Sequence, residues 1–155
     1  MCIDGTCGVV EDINLRLTIL RDLDGTVHYI PNGNVTKTSN MSKDFARVNM
    51  NVGIGYDADL DKVVQVVNRV GIELAADEQW KEKIKKAPEF LRVDSFGDYS
   101  VNIKILGDVE PLQQWAVTGE YHRRLKAAFD AEGIEIPFPV TVVKLMNEGA
   151  EQKPA

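Results

Sequence analysis

The sequence predicts an α+β fold: an all-β opening, a strand–helix–strand–strand–helix middle, and one strand near the end. Three observations carry this expectation. Residues 9–30 alternate apolar and polar side chains in short runs punctuated by Asp-Gly and Pro-Asn-Gly. Residues 60–74 and 115–129 switch to helical spacing of their apolar side chains. A β-prone run at 140–146 stands alone, after prolines at 137 and 139.

In chain order, residues 9–13 read as a first strand. Leu15, Leu17 and Ile19 alternate with Asn14, Arg16 and Thr18, the period-two pattern of a half-buried strand. Asp22-Leu23-Asp24-Gly25 supplies turn chemistry that accepts positive φ, and residues 26–30 return as the partner strand. Pro31-Asn32-Gly33 ends that strand at another turn. A small β-barrel or curled sheet without a helix is expected from these residues.

The period changes after Phe45. Val48, Met50, Val52, Ile54 and Tyr56 alternate with polar residues and glycine, a one-sided strand. Asp57 or Asp59 is placed to cap the helix that follows, and Asp61 suits its positive end. Leu60, Val63, Val64, Val67, Val70 and Leu74 then mark a helix face. Gly71 within it costs about 1 kcal/mol relative to alanine, so packing has to carry that helix.

Leu91 and Val93 open a second strand, Phe96-Gly97-Asp98-Tyr99 turns the chain, and Val101, Ile103 and Ile105 form a third. Pro111 is placed as a first-turn proline. Trp115, Thr118, His122, Leu125 and Phe129 make the stripe of a second helix, which Gly133 and Ile134 stop as a Schellman motif. Strand–helix–strand–strand–helix is most of a ferredoxin-like split βαβ unit. Residues 134–139 are twice broken by proline and therefore extended, and the polar tail 147–155 is expected to be disordered.

Composition sets limits. With 155 residues, 44% hydrophobic and 27% charged, the chain is long enough for a core without a metal or disulfide staple. A net charge of −6 argues against a duplex-binding footprint, which needs a basic face. No apolar run approaches the roughly 20 residues that cross a bilayer, and the first residues carry no secretory signal. From these features the chain reads as soluble and cytoplasmic.

Candidate chemistry is sparse. Cys2 and Cys7 with His28 and His122 could be drawn as a zinc site. The histidines are isolated, however, and zinc ligands usually come as tight pairs. The expected state is two reduced, partly buried thiols, with a disulfide unforced in a cytosolic setting. Gly53-x-Gly55 lacks the third glycine of a phosphate loop and is followed by Asp57, Asp59 and Asp61. Those aspartates lack the glycine and terminal glutamate of a calcium loop. His122 on the apolar stripe reads as a core or edge histidine, and Asp22 and Asp24 as turn residues. Arg123, Arg124 and Lys126 read as a solvated helix face. No catalytic residue, metal site or cofactor is assigned, and an enzyme is not expected.

Six segments together resemble a known family. They are Gly8-Val9-Val10-Glu11-Asp12-Ile13-Asn14-Leu15-Arg16, Leu20-Arg21-Asp22-Leu23-Asp24-Gly25, Ile30-Pro31-Asn32-Gly33, Asn40-Met41-Ser42, Gly55-Tyr56-Asp57-Ala58-Asp59-Leu60-Asp61 and Ala131-Glu132-Gly133-Ile134-Glu135-Ile136-Pro137-Phe138-Pro139. In this order they resemble the cytoplasmic region of the small-conductance mechanosensitive channel (MscS) family. One position departs: the family often has Gln where this chain has Val140.

The resemblance implies a fold and an assembly. It divides the chain into a middle β domain of Sm-like type at 1–43, truncated at its start, and a ferredoxin-like α/β domain at 44–133. An extended linker and barrel strand follow at 134–146, then the tail. Val140, Thr141, Val142, Val143, Lys144 and Leu145 would join six other copies in a parallel β-barrel beneath a heptameric cage. Pro31, Asn32 and Gly33 would form a loop facing the membrane part, whose pore helices this chain does not include. The parent would open under membrane tension in the bacterial inner membrane and release ions and small solutes during hypo-osmotic stress, with this region in the cytoplasm. The resemblance implies self-association, with no nucleic acid and no specific small-molecule ligand. Read without it, the chain would be a free-standing ferredoxin-like module that binds a small molecule. An Sm-like nucleic-acid binder is disfavoured, because the β part has no basic excess.

Overall fold

The computed structural model describes residues 1–139. The expected strand at 140–146, including the six barrel residues Val140 to Leu145, and the tail lie outside the described residues. Twelve short elements run in order: β1 (Cys2–Ile3), β2 (Thr6–Cys7), β3 (Val9–Ile13), β4 (Leu17–Arg21), β5 (Val27–Pro31), a single 3₁₀ turn (Asn32–Asn34), β6 (Thr38–Ser39), β7 (Ala46–Ile54), α1 (Leu60–Ala76), β8 (Ile84–Phe96), β9 (Val101–Val109) and α2 (Gln114–Glu132). They form an α+β fold with two helices and three sheets, ordered β2-β1-β6, β3-β4-β5 and β7-β9-β8.

The third sheet carries the main core. Alternation in β7 buries Ala46, Val48, Met50 and Ile54 on one face and leaves Arg47, Asn49 and Asn51 on the other. The central strand β9 adds Ile103, Ile105 and Val109, and both of its neighbours run antiparallel to it. Helix α1 packs on β8, α2 packs on β7, and the helices touch each other. Asp59 caps α1 by accepting from the Asp61 and Lys62 amides at 3.0 and 3.3 Å. The helix buries Val63, Val66, Val67, Val70, Gly71 and Leu74. Leu60, expected on that face, lies at its exposed edge.

Strand β8 begins at Ile84, seven residues before the expected start at Leu91. Its thirteen residues face nine of β9, and the excess is absorbed at four irregularities in register. Pro88 sits in one of them, between Lys86 and Glu89, on an edge strand where a missing amide donor is tolerated. A Cβ on Gly71 would lie 1.9 Å from the Pro88 carbonyl oxygen, and one on Gly107 would lie 2.9 Å from the Pro88 Cα. The proline is therefore clamped between helix and central strand by two residues without side chains. Beside it, Asn68 Oδ1 accepts from the Phe90 amide at 2.8 Å, restoring a partner that the irregular strand lacks.

Helix α2 starts later than the proline signal suggested. Pro111 and Leu112 form a turn, with Leu112 at φ 68°, and Gln113 caps the helix without a side-chain bond. Of the expected stripe, Leu125 and Phe129 are buried, but Trp115, Thr118 and His122 are not; Val117 and Tyr121 complete the buried face. Strict i, i+4 spacing aligns those four residues, and Tyr121 is acceptable inside because its hydroxyl donates to the Val67 carbonyl at 2.9 Å. Burial pushes that phenol well above its usual pKa. His122 is exposed instead. The helix ends as expected: Gly133 at φ 68° donates to the Asp130 carbonyl, and Ile134 donates to the Phe129 carbonyl at 2.9 Å.

The close approach at Pro88 yields an expectation opposite to helix propensity. Gly71→Ala should destabilise the chain by about 2 kcal/mol, because overpacking against backbone outweighs the roughly 1 kcal/mol gained in helix propensity. Urea unfolding measures this; a higher midpoint would place α1 farther from β8 than described.

Candidate functional site

The β part offers a candidate functional surface at the end of the β3-β4-β5 sheet. Register pairs Leu17 with Pro31 and Thr18 with Ile30, so the bend at residues 14–16 and the Pro31-Asn32-Gly33 turn lie side by side. Asn32 joins them. Its amide donates to the Arg16 carbonyl at 2.8 Å, its side-chain nitrogen to the Asn14 carbonyl at 2.7 Å, and its Oδ1 accepts from Thr18 Oγ1 at 2.8 Å. Asn14 Oδ1 in turn accepts from the Arg16 and Leu17 amides. Gly33 has open space around it. The predicted loop residues Pro31, Asn32 and Gly33 are thus brought together, with Asn32 spent on holding the loop.

At the tip of this end Leu15 is fully exposed, not half-buried in a strand as its alternation suggested. Ile13 and Tyr29 are also exposed, at 59% and 65%. Sequence pattern missed the exposure of Leu15 because the strand starts only at Leu17, and Asn14 bends the chain before it. The signal was present: Asn at the first position of a bend bonds amides further along the chain.

A cleft of about 370 Å³ lies where the β part meets the start of α2. Val10, Leu23, Met41, Leu112 and Trp115 line it, together with Gln114, whose buried Oε1 has no hydrogen-bond partner among the described residues. Trp115, expected in the helix core, is half exposed here.

Several charged groups elsewhere are bound to one another. Asp22 accepts from the Asp24 and Thr26 amides and contacts His28 Nε2 at 2.9 Å. The His28 contact comes first in lowering its pKa, followed by those amides. It is a turn residue, as expected. Cys2 and Cys7 form a disulfide, which corrects the expectation of two reduced thiols. In that state neither supplies a thiolate to zinc. Among the described residues no group of three or more His, Cys, Asp or Glu is placed to share a metal ion. No described helix is long and apolar enough to cross a membrane.

The expected solvated face of α2 is an ion-pair network. Glu120 accepts from Arg123 at 2.6 and 2.8 Å and from Arg124 at 2.7 Å, and Arg124 reaches Asp77 beyond α1 at 2.6 Å. Hydrogen bonds from Arg123 and then Arg124 hold the Glu120 carboxyl at about 2, below the usual 4.5. At the other end, Lys62 and Arg69 on α1 pair with Glu132 on α2.

Two outcomes follow from this geometry. Asn32→Ala should destabilise the β part by about 1–2 kcal/mol by removing bonds that join two turns, measured as a fall in its unfolding midpoint. Glu120 has a folded pKa below its unfolded value, so its contribution is complete above about 4.5 and is lost as pH falls towards about 2. Glu120→Gln should therefore flatten the stability profile in that acid window and leave its shape near neutrality unchanged. A profile as steep as the parent's would assign the acid loss to other carboxylates.

Comparison with known proteins covers nearly the whole chain. Residues 48–136 match the family described as mechanosensitive ion channel MscS, C-terminal, and residues 2–43 match mechanosensitive ion channel, beta-domain. A small-conductance mechanosensitive channel of Caldanaerobacter subterraneus is 30% identical over 94% of this chain and 51% of its own length. An MscS family protein of Archaeoglobus fulgidus is 35% identical over 94% of this chain and 50% of its own length. The crystal structure of Helicobacter pylori MscS in the closed state superposes with a TM-score of 0.74 at 28% identity, over 94% of this chain and 57% of that one. The chain spans about half the length of these relatives. It belongs to the MscS family of mechanosensitive ion channels.

Proposed function

We propose that this chain is the cytoplasmic cage portion of a channel that opens under membrane tension and releases ions and small solutes during hypo-osmotic stress. One observation carries the reading: the superposition on Helicobacter pylori MscS runs through 94% of the chain, across the β part and the α/β part alike. A free-standing small-molecule module has no such support. In this reading the pore helices belong to the parent protein in a bacterial inner membrane, and this region hangs in the cytoplasm.

The finer architecture follows the same reading. The β part at 1–43 is Sm-like, and 44–133 is ferredoxin-like; the β-α-β-β-α order and the β7-β9-β8 sheet support the latter. The family matches at 2–43 and 48–136 support the division near residue 44. Pro31, Asn32 and Gly33 face the membrane part, at the sheet end where Leu15 is exposed. The linker and strand at 134–146 lead into a barrel of seven copies, built from Val140, Thr141, Val142, Val143, Lys144 and Leu145. An apolar strand with free edges is an association template, and a closed ring of identical strands removes every edge.

Magnitudes limit what the barrel contributes. Burying Val140, Val142, Val143 and Leu145 at about 1.5–3 kcal/mol each stabilises by roughly 6–12 kcal/mol per chain. Association costs about 4–15 kcal/mol in lost freedom, a range that spans that gain, so the reading also has the β parts touch around the ring. Light scattering at rising concentration should show a heptamer in exchange with smaller species, and deletion of residues 134–155 should shift it towards monomer. A strict monomer for the intact chain would overturn the cage; an undisturbed oligomer after deletion would overturn the barrel alone. Grafted in place of the matching part of Helicobacter pylori MscS, the chain should support suction-activated currents. An assembled but silent chimera would overturn the channel role.

A further inference from the structure

Cys2 and Cys7 lie at opposing positions of a hairpin whose two-residue turn is Asp4-Gly5, with Ile3 facing Thr6 and Cys2 facing Cys7. The Gly8 amide donates to the Met1 carbonyl at 2.9 Å, so residues 1 and 8 are a hydrogen-bonded pair. That makes 2 and 7 the intervening non-hydrogen-bonded pair, the one whose side chains stand closest. Their Cα atoms are 4.0 Å apart. Wherever the hairpin is paired, backbone register therefore brings the two sulfurs together. Cys7 is exposed and Cys2 half-buried, so the pair is open to small reagents from one side.

The hairpin also has something to hold. Strand β1 is the middle of the β2-β1-β6 sheet, pairing Cys2 with Ser39 and Ile3 with Thr38. Past it, the Asp4 carboxylate accepts from the Thr36 amide, the Thr36 hydroxyl and the Lys37 amide, and the Asp4 amide donates to the Lys37 carbonyl at 3.1 Å. Each strand contributes only two paired residues, and a sheet this small opens easily without a covalent tie. The buried core cluster begins at Ala46, so the rest of the fold does not depend on the pair.

We propose that Cys2 and Cys7 are a thiol–disulfide exchange site for small thiols and disulfides of the glutathione class, and that oxidation staples the hairpin against β6. Exposed disulfides are the labile ones. In reduction a small thiolate attacks the accessible Cys7 Sγ, the S–S bond breaks, and Cys2 leaves as a thiolate that takes up a proton. A second small thiol attacks the sulfur of the first, and Cys7 leaves as a thiolate and is protonated. Two electrons pass to the protein, two small thiols become one small disulfide, and oxidation is the reverse. The proposal is independent of the channel reading.

The test equilibrates the full chain in glutathione buffers of graded ratio, quenches with acid, and counts alkylated thiols by mass spectrometry. Amide exchange at Asp4 and Gly8 is followed at both ends of the series. The thiols should appear and vanish as a pair across the series. Both amides should exchange about tenfold more slowly in the oxidised chain, and Cys7→Ser should exchange at the reduced rate in every buffer. Any of four results overturns the proposal: a disulfide surviving the most reducing ratio, thiols still alkylatable at the most oxidising, a stable mixed disulfide on Cys7, or amide exchange indifferent to redox state.

Discussion

The α/β part depends on one backbone contact, the seat of Pro88 between Gly71 and Gly107. Helix and sheet usually keep apart by the thickness of their side chains; here two glycines remove that spacer and the helix lies almost on the strand. Once α1 is this close, Asn68 can reach the Phe90 amide, and the irregular edge strand no longer carries an unpaired donor there. The same placement presents the Val67 carbonyl to Tyr121 and puts Asp77 within reach of Arg124. The packing of α2 is thereby a consequence of where α1 lies. A glycine that weakens the helix as an isolated segment is what allows it to dock.

The β part is held by different physics. Its buried apolar residues are Ile3 and Leu20, with Thr18 beside them, and none joins the main core cluster. Order comes instead from short polar side chains bonded to backbone: Asn32 and Asn14 at one end, Asp22 at the hairpin, Asp4 against residues 36–37. Such bonds fix conformation at modest net gain, near 1 kcal/mol apiece. They shape a surface without supplying the hydrophobic drive that the other half obtains from its core.

Legibility follows the same divide. Periodicity located β7, α1 and β9 because each buries one face; residue type narrowed the cap to Asp57 or Asp59, of which Asp59 is the one used, and gave the Gly133 stop. It placed β8 late, since a proline inside a strand is compatible only with an edge or a bulge, and neither shows in one sequence. It misassigned the α2 stripe by weighting Trp115 and His122 over Tyr121, whose partner carbonyl lies on another helix. The strands β1, β2 and β6, two residues each, carry no period at all. The disulfide was missed for that reason: it follows from hairpin register, not from cysteine spacing. Of the candidate site, the Pro31-Asn32-Gly33 turn was legible from its chemistry, while the exposed Leu15 beside it was hidden by an alternation that looked like strand.

The unequal halves bear on assembly. A domain with its own core gains little from a neighbour, and the α/β part has such a core from Ala46 to Ile134. The β part exposes Leu15 at 100%, Leu23 at 86%, Tyr29 at 65%, Ile13 at 59% and Met41 at 54%, while burying almost nothing. These exposed apolar groups would contribute to the contact between β parts in the proposed ring, although the α/β part also exposes Ile72 at 64% and Phe96 at 73%. In the proposed ring the β parts would then be the half for which association supplies what folding alone does not. In that ring the α/β parts, which have a core of their own, would need less mutual contact. A cage of the proposed kind would need a joined collar and a porous wall, and the proposal puts the first in the β parts and the second in the α/β parts.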